Sequence, residues 1–337
     1  MPTRDLQKNS ELSKITDRIE RVLAGEIDGN YADAIRDIRA KLVELYDTFG
    51  VTDDMSKAQL AQFVRVSGLI EELDSVVQPY VQKNIEALTA GGQVAFEASF
   101  FKTAWAMDTA VGVPLQWDLV NPNSVVAAQA TAGDFQGLAR YLPPKEIENH
   151  SKILDQAFKK YTADTRRWIG EAAKDAIQKG KSIQQVSKEI RDNGIAKAKR
   201  YSNMIARTEI LRASTIGNQI AAEQARENGV AIREVWDATL DDRTRPDHAA
   251  ADGTVRDATT GLFSVPWGEV IGPHQSGIAS QDINCRCVVT EVIEGYEPEL
   301  RRIRGEGLQP YQTFETWATE HGFTANDYGQ KYNFITR

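Results

Sequence analysis

Along residues 1 to about 230, apolar side chains recur at steps of three and four, the spacing of amphipathic helices. Between Glu11 and Phe49 they fall at Leu12, Ile15, Ile19, Val22 and Leu23, then at Ile35, Ile38, Leu42 and Leu45. Gly25 and Gly29 interrupt this series and predict a break between two helices. A second helical stretch is expected from near Ser56 through Leu69, Leu73 and Val77, ending before Pro79. A third covers about Val81 to Ala110, with Gly91-Gly92 as a point where it divides.

Residues 111–145 change character, with Pro114, Pro122, Pro143 and Pro144 and the turn-forming Asn121-Pro122-Asn123. This segment reads either as a boundary or functional loop, or as a plain connection between helices. Helical spacing resumes at Pro144 and runs to Lys179 through Ile147, Ile153, Leu154, Phe158, Tyr161, Trp168 and Ile169. Gly180 stands where a left-handed residue commonly stops a helix. Ser182 is placed to cap the next helix, with Gln185 as reciprocal partner, and Asp192-Asn193-Gly194 is expected to end it. A long helix follows from about Ala196 to Asn228, closed by Gly229.

The period then switches to alternation. Ile232, Trp236 and Ala238 share one face of a strand, with Glu234 as the exception, and Cys287 to Ile293 reads as a second, valine-rich strand. The expected fold is therefore α+β and predominantly helical. It has a helical N-terminal domain (1–143), a small mixed α+β domain (144–295) and a tail (296–337). The tail carries Tyr311, Phe314, Trp317, Phe323, Tyr328, Tyr332 and Phe334; such side chains serve a core or a partner surface.

Composition narrows the function. An apolar fraction of 41% and a charged fraction of 26% over 337 residues fit a soluble globular protein with a sizeable core. A net charge of −8 disfavours a broad nucleic-acid face, because duplex affinity rests on Lys and Arg. No stretch approaches the roughly 20 apolar residues of a membrane span, and MPTRDLQKNSEL lacks the apolar core of a signal peptide. Residence in the cytosol where the protein is made, or in a particle assembled there, is the expectation. Cys285 and Cys287 are the only cysteines and too close for a disulfide framework.

The chemistry concentrates in four pieces between residues 204 and 287. Arg207-Thr208-Glu209 lies on the long helix. Trp236 opens a segment that runs through Asp241, Asp242, Arg243 and Arg245 to Asp247 and His248. Asp252-Gly253 is a turn, and Asn284-Cys285-Arg286-Cys287 closes the set. Arg207 and Glu209, two apart on a helix, point to different faces and are expected to hold neighbouring elements. Asp242 or Thr244 can cap a short helix that contains His248, with Pro246 in its first turn. His248 would then face the strands or the Cys-x-Cys segment. His248, His274, Cys285 and Cys287 together could form a tetrahedral Cys2His2 zinc site; the alternative is no cofactor, with the cysteines as inert buried residues. Arg243, Arg245 and Arg286 beside Asp241, Asp242 and Asp247 read as a loop-fixing ion-pair network or as a phosphate site.

This ordered set resembles the phage Mu F-like head morphogenesis family over about residues 160–295. The family pattern is an Ala-Arg-Thr-Glu helix, a Trp strand, Asp-x-Arg-Thr-Arg-x-x-His, Asp-Gly and Asn-Cys-Arg-Cys. One departure is that Pro273-His274 is separated from Asn284 by nine residues, whereas the family places Pro and His almost directly before the Asn-Cys pair. The resemblance implies a low-copy minor head protein of a tailed bacteriophage rather than an enzyme. Such a protein would be located in the virion at the head or portal vertex. Its partners would be the portal protein or the major capsid protein, with weak contact to packaged DNA and none to membrane. Two other functions remain open on the residues. One is a hydrolase, nuclease or nucleotide transferase using Glu209, Asp241, Asp242 and His248. The other is a DNA-binding ejection factor using Lys197, Lys199, Arg200 and Arg207.

Overall fold

The computed structural model describes residues 4–52, 55–111, 115, 117, 144–239, 241, 243–293, 300–303 and 307–310. Helix α1 spans Arg4–Thr48, α2 Lys57–Val66, α3 Leu69–Val111, α4 Pro144–Gln178, α5 Ile183–Glu189 and α6 Ala196–Glu227. The smaller region that follows contains β1 (Ile232–Asp237), α7 (Pro246–Ala251), β2 (Phe263–Val265), β3 (Gly268–Val270), α8 (Ala279–Asp282) and β4 (Val288–Ile293). The fold is predominantly helical α+β, as the periodicity requires.

Helix α1 does not break at Gly25 and Gly29. Its buried positions Leu23, Ile27, Tyr31, Ala34, Ile38, Leu42 and Leu45 continue straight across that segment at steps of four and three. Both glycines face solvent, so each costs about 1 kcal/mol of propensity and no packing. The stretch expected from Ser56 to Pro79 is instead divided at Gly68, whose φ of 60° is left-handed. Pro79 lies inside α3 rather than at a helix end. It is exposed, while Leu73, Val77 and Val81 keep one buried stripe on either side of it. The helix likewise runs unbroken through Gly91-Gly92.

Ser182 and Gln185 form the reciprocal capping box of α5. Asp192-Asn193-Gly194 does not end that helix: the chain passes through a π-helical turn, Ile190–Ile195, directly into α6. Gly194 serves close approach there, since a Cβ would stand 3.1 Å from the Ile169 Cα on α4.

One hydrophobic core draws on α1 to α6, from Leu23 and Phe63 through Phe96, Tyr161 and Ile177 to Ile205 and Ala221, and so spans both sides of position 143. Within it Tyr161 accepts a hydrogen bond from Asn84 Nδ2 at 3.0 Å and pairs with the Tyr31 hydroxyl. Helix α6 is buried along most of its length and ends before Gly229, at φ 84°.

A second core holds Trp236, Ala238, Ala251, Phe263, Val265, Val270, Cys285, Cys287 and Val289, with Trp267 packed against it. Strand β1 pairs antiparallel with β4, Trp236 opposite Val289. The other edge of β1 meets residues 253–256, through Gly253 N–H to Trp236 O at 2.9 Å and Trp236 N–H to Thr254 O at 2.8 Å. Consecutive residues Glu234, Val235 and Trp236 are all buried, which is why strict alternation fails at Glu234. Its carboxylate accepts from Arg226 Nη2 at 2.5 Å and Arg256 Nη1 at 2.7 Å, so the charge is buried with two partners.

β2 and β3 form a hairpin that alternation alone did not single out. In the tail, β5 (Leu300–Ile303) pairs antiparallel with β6 (Gly307–Pro310). The aromatic positions from Tyr311 onward lie outside the described residues, as does most of 111–145. Trp117, from that segment, packs edge-on to Phe100 at 6.3 Å. Among the described residues no helix is long and apolar enough to cross a membrane.

Candidate functional site

Helix α6 supplies one wall of the site through polar side chains on its buried surface. Arg212 Nη1 donates to both oxygens of Glu209, one at 2.6 Å, and Arg212 Nε donates to the His274 carbonyl at 2.7 Å. About two turns along, Gln219 Nε2 donates to the Ile271 carbonyl at 3.0 Å and its Oε1 accepts from Gln275 at 2.9 Å. The Thr208 hydroxyl accepts the Asn284 N–H at 3.3 Å. The helix thereby grips the segment 271–284 at both ends. His274 and Asn284 there adopt left-handed φ values of 65° and 55°, a conformation that needs such external support outside glycine. Between them Asp282 closes the loop by accepting from Ser276 N–H, Ser276 Oγ and Gly277 N–H at 3.1, 2.7 and 2.8 Å.

Arg207 leaves this arrangement. It is half exposed and pairs with Glu20 of α1 at 3.2 Å. Arg207 and Glu209 thus hold different neighbours, as their spacing on the helix requires. Lys199 likewise pairs with Asp28 at 2.6 Å, so two members of the basic cluster on α6 are matched by α1 carboxylates.

The second wall comes from the turn before α7. Asp241 accepts from the Arg243 N–H at 2.9 Å and forms a two-pronged pair with Arg286, whose Nη2 is 2.7 Å away. The cap expected for α7 is absent: Arg245 occupies that position without a side-chain cap bond. Thr244 is turned inward instead, its hydroxyl bonded to the Thr239 carbonyl; Asp242 lies outside the described residues. Among the described residues Arg245 does not make the expected pair with a carboxylate. It reaches across to the carbonyls of Gln281 (2.9 Å) and Ile283. Asp252 Oδ1 accepts the Ala238 N–H at 2.8 Å, and Gly253, at φ 78°, completes the turn beside Trp236.

Burial pushes the Asp241 carboxyl up, but the Arg286 hydrogen bonds, the Arg243 N–H and both guanidinium charges hold it below the usual carboxylate range. A carboxyl depressed in the folded state stabilises the protein above its unfolded pKa of about 3.9, and that stability is lost as pH falls through the folded value. Asp241→Asn is therefore expected to lower stability at neutral pH by about 1 kcal/mol. It should also flatten the decline on acidification below about pH 4. Denaturant melts of both proteins across that range check this; parallel pH slopes would show that the pair contributes nothing.

At the centre, His248, Cys285 and Cys287 meet, each buried. His248 Nδ1 lies 3.3 Å from Cys287 Sγ and 3.5 Å from Cys285 Sγ. Its Nε2 is 2.9 Å from Gln281 Oε1 and 3.2 Å from Arg245 Nη1. Gln281 Nε2 is directed to Asp247 at 3.3 Å, which leaves its Oε1 for the imidazole. The shorter contact, to Gln281 Oε1, requires Nε2–H to donate, which aims the Nδ1 lone pair at the sulfurs and leaves the Arg245 Nη1 approach without a hydrogen bond to the ring. Trp267 stacks on the imidazole at 4.8 Å, and Trp236 meets it edge-on at 6.5 Å.

Burial raises both thiols. Cys287 stays well above the ordinary range, while hydrogen bonds from the Cys287 thiol and N–H and the charge of Arg245 bring Cys285 below it. His274 is not a member of this group. Its Nε2 is 3.1 Å from the Cys287 carbonyl, and burial holds its imidazole below the usual pKa. Arg212, Gln219, Gln281 and Asp282 position the site yet carry no spacing signal in the sequence. Their partners are up to 62 residues away.

The arrangement is that of a small α+β unit clamped to one long helix by buried polar contacts. Residues 167–290, which contain the whole constellation, match the family model for Phage Mu protein F like protein. The chain is 23% identical over 301 residues to the minor head protein GP7 of Bacillus phage SPP1, covering 88% of this chain and 91% of that protein. It is 24% identical over 310 residues to the NAD(+)–arginine ADP-ribosyltransferase EFV of Enterococcus faecalis, covering 90% of this chain and 58% of that protein. The chain thus spans little more than half the length of the Enterococcus relative. No solved structure matches it.

Proposed function

We propose that this chain is a minor head protein of a tailed bacteriophage, a low-copy virion component that acts in head morphogenesis by binding the portal protein or the major capsid protein. The observation that carries the reading is the near end-to-end match to the SPP1 minor head protein, at 91% of that protein's length. The site supports a structural role in preference to catalysis. Glu209 is bound by Arg212, Asp241 by Arg286, and His248 by Gln281 and the two thiols. Each of these three groups is thus committed to holding an element in place. Nothing favours the DNA-binding alternative, and Lys199 and Arg207 of its basic cluster are paired within the fold.

Co-expression of the full chain with the portal protein and the major capsid protein of its phage tests the assignment. Co-purification with one of them, and recovery of the chain in assembled heads, are the expected results. A folded chain that binds neither and is missing from heads overturns the reading.

A further inference from the structure

We propose that His248, Cys285 and Cys287 bind one zinc ion, through Nδ1 and the two Sγ atoms, and that this ion ties α7 to the start of β4. The donor set is the soft-and-borderline combination that zinc takes. The geometry fits as well as the chemistry. Zinc bonds of about 2.3 Å to sulfur and about 2.0–2.1 Å to nitrogen put tetrahedral N···S edges at about 3.5 Å. The observed separations are 3.3 and 3.5 Å, and all three donor atoms lie within 4.8 Å of one another.

The imidazole is also prepared for a metal. A metal-bound histidine commonly donates its other ring N–H to an oxygen acceptor, which fixes the tautomer and aims the free lone pair. Here Gln281 Oε1 takes that N–H, and Asp247 holds the Gln281 amide in turn. Stacking on Trp267 fixes the ring plane. Each thiol loses its proton to solvent on binding, and two thiolates balance the charge of Zn2+, so a neutral centre replaces what would otherwise be buried charge. Among the described residues no fourth protein donor joins the group. His274, spaced away from Asn284, hydrogen-bonds the Cys287 carbonyl and supports the loop rather than the ion.

The location gives the ion its role. His248 and the cysteines are 37 and 39 positions apart, and the second core around them is small, built from Trp236, Phe263 and a few short side chains. A metal crosslink there replaces apolar area that the region does not have. The inference stands on these residues alone and does not depend on which head component the chain binds.

The test uses the full-length chain without a histidine tag, expressed in zinc-supplemented medium. Elemental analysis is expected to give about one zinc per chain. Replacement by Co2+ should give the thiolate-to-cobalt charge-transfer band and the visible bands of tetrahedral cobalt. Cys285→Ser and His248→Ala should each lose the metal. Should those variants not fold, Gln281→Leu retains every donor and is expected to bind zinc about 10–100-fold more weakly in chelator competition. Folded wild-type protein with under about 0.2 zinc per chain and no cobalt bands overturns the proposal. So does a Cys285→Ser/Cys287→Ser protein that keeps its full zinc.

Discussion

Replacing Glu209 by alanine is expected to cost about 3–5 kcal/mol of stability, because it strands a buried arginine. The Arg212 side chain is 3% exposed and that of Glu209 10%, so neither charge has water to fall back on. With the carboxylate gone, Arg212 keeps only the His274 carbonyl as a partner among the described residues, and one neutral acceptor does not balance a guanidinium removed from water. The cost is that of an orphaned charge rather than of the pair itself. A variant that removes both charges together, Glu209→Leu with Arg212→Met, is expected to recover most or all of the loss. Urea melts of the single and double variants supply the cycle. A Glu209→Ala protein within about 1 kcal/mol of wild type would show that the pair is not the clamp it is described to be. The loss should also be local before it is global. Amide exchange is expected to rise first across residues 271–284, because Arg212 is what holds the His274 end of that loop.

What could be read from the sequence follows from where each signal resides. Helix α6 and strands β1 and β4 were legible because their signals are local: a change from period 3.6 to period 2 and a glycine at the helix end. The cluster of His248, Cys285 and Cys287 was legible in part, since the sequence holds only two cysteines and four histidines. The order of the motif pieces also pointed to the family whose model matches residues 167–290. His274 was grouped with them on residue type alone, and only the path of the loop separates it. Gln281 and Arg212 were illegible for a different reason. Their roles exist only through partners on other elements, with no periodicity to announce them. Glu234 looked like a defect in a strand until Arg226 and Arg256, from α6 and from the bridge beside β1, were seen to converge on it. Glycine was the least legible residue, because one residue type marks helix ends, tolerated interruptions and close contacts alike.

That ambiguity sets up the last expectation, a contrast between two glycines that look alike in sequence. Gly29→Ala is expected to stabilise the protein, by up to about 1 kcal/mol, whereas Gly217→Ala should destabilise it by about 3 kcal/mol or more. Gly29 is exposed on α1, and a Cβ there would meet nothing within 4 Å, so only helix propensity changes. Gly217 lies where α6 crosses α3. A Cβ there would stand 2.5 Å from the Phe96 carbonyl oxygen and 3.1 Å from the Phe100 nitrogen. Both are backbone atoms, which no change of rotamer can move, so the helices must separate. That separation strains the Ser99–Ser214 hydroxyl contact at 2.6 Å and the Thr103 to Asn218 hydrogen bond at 2.9 Å, which flank the crossing. Breaking them leaves buried polar groups without partners and adds to the cost of overpacking. The loss therefore exceeds the propensity that alanine gains, and the two substitutions should move the denaturant midpoint in opposite directions. If Gly217→Ala also stabilised the protein, the close α3–α6 contact that seats the long helix, and with it every residue the helix presents to the site, would be wrong.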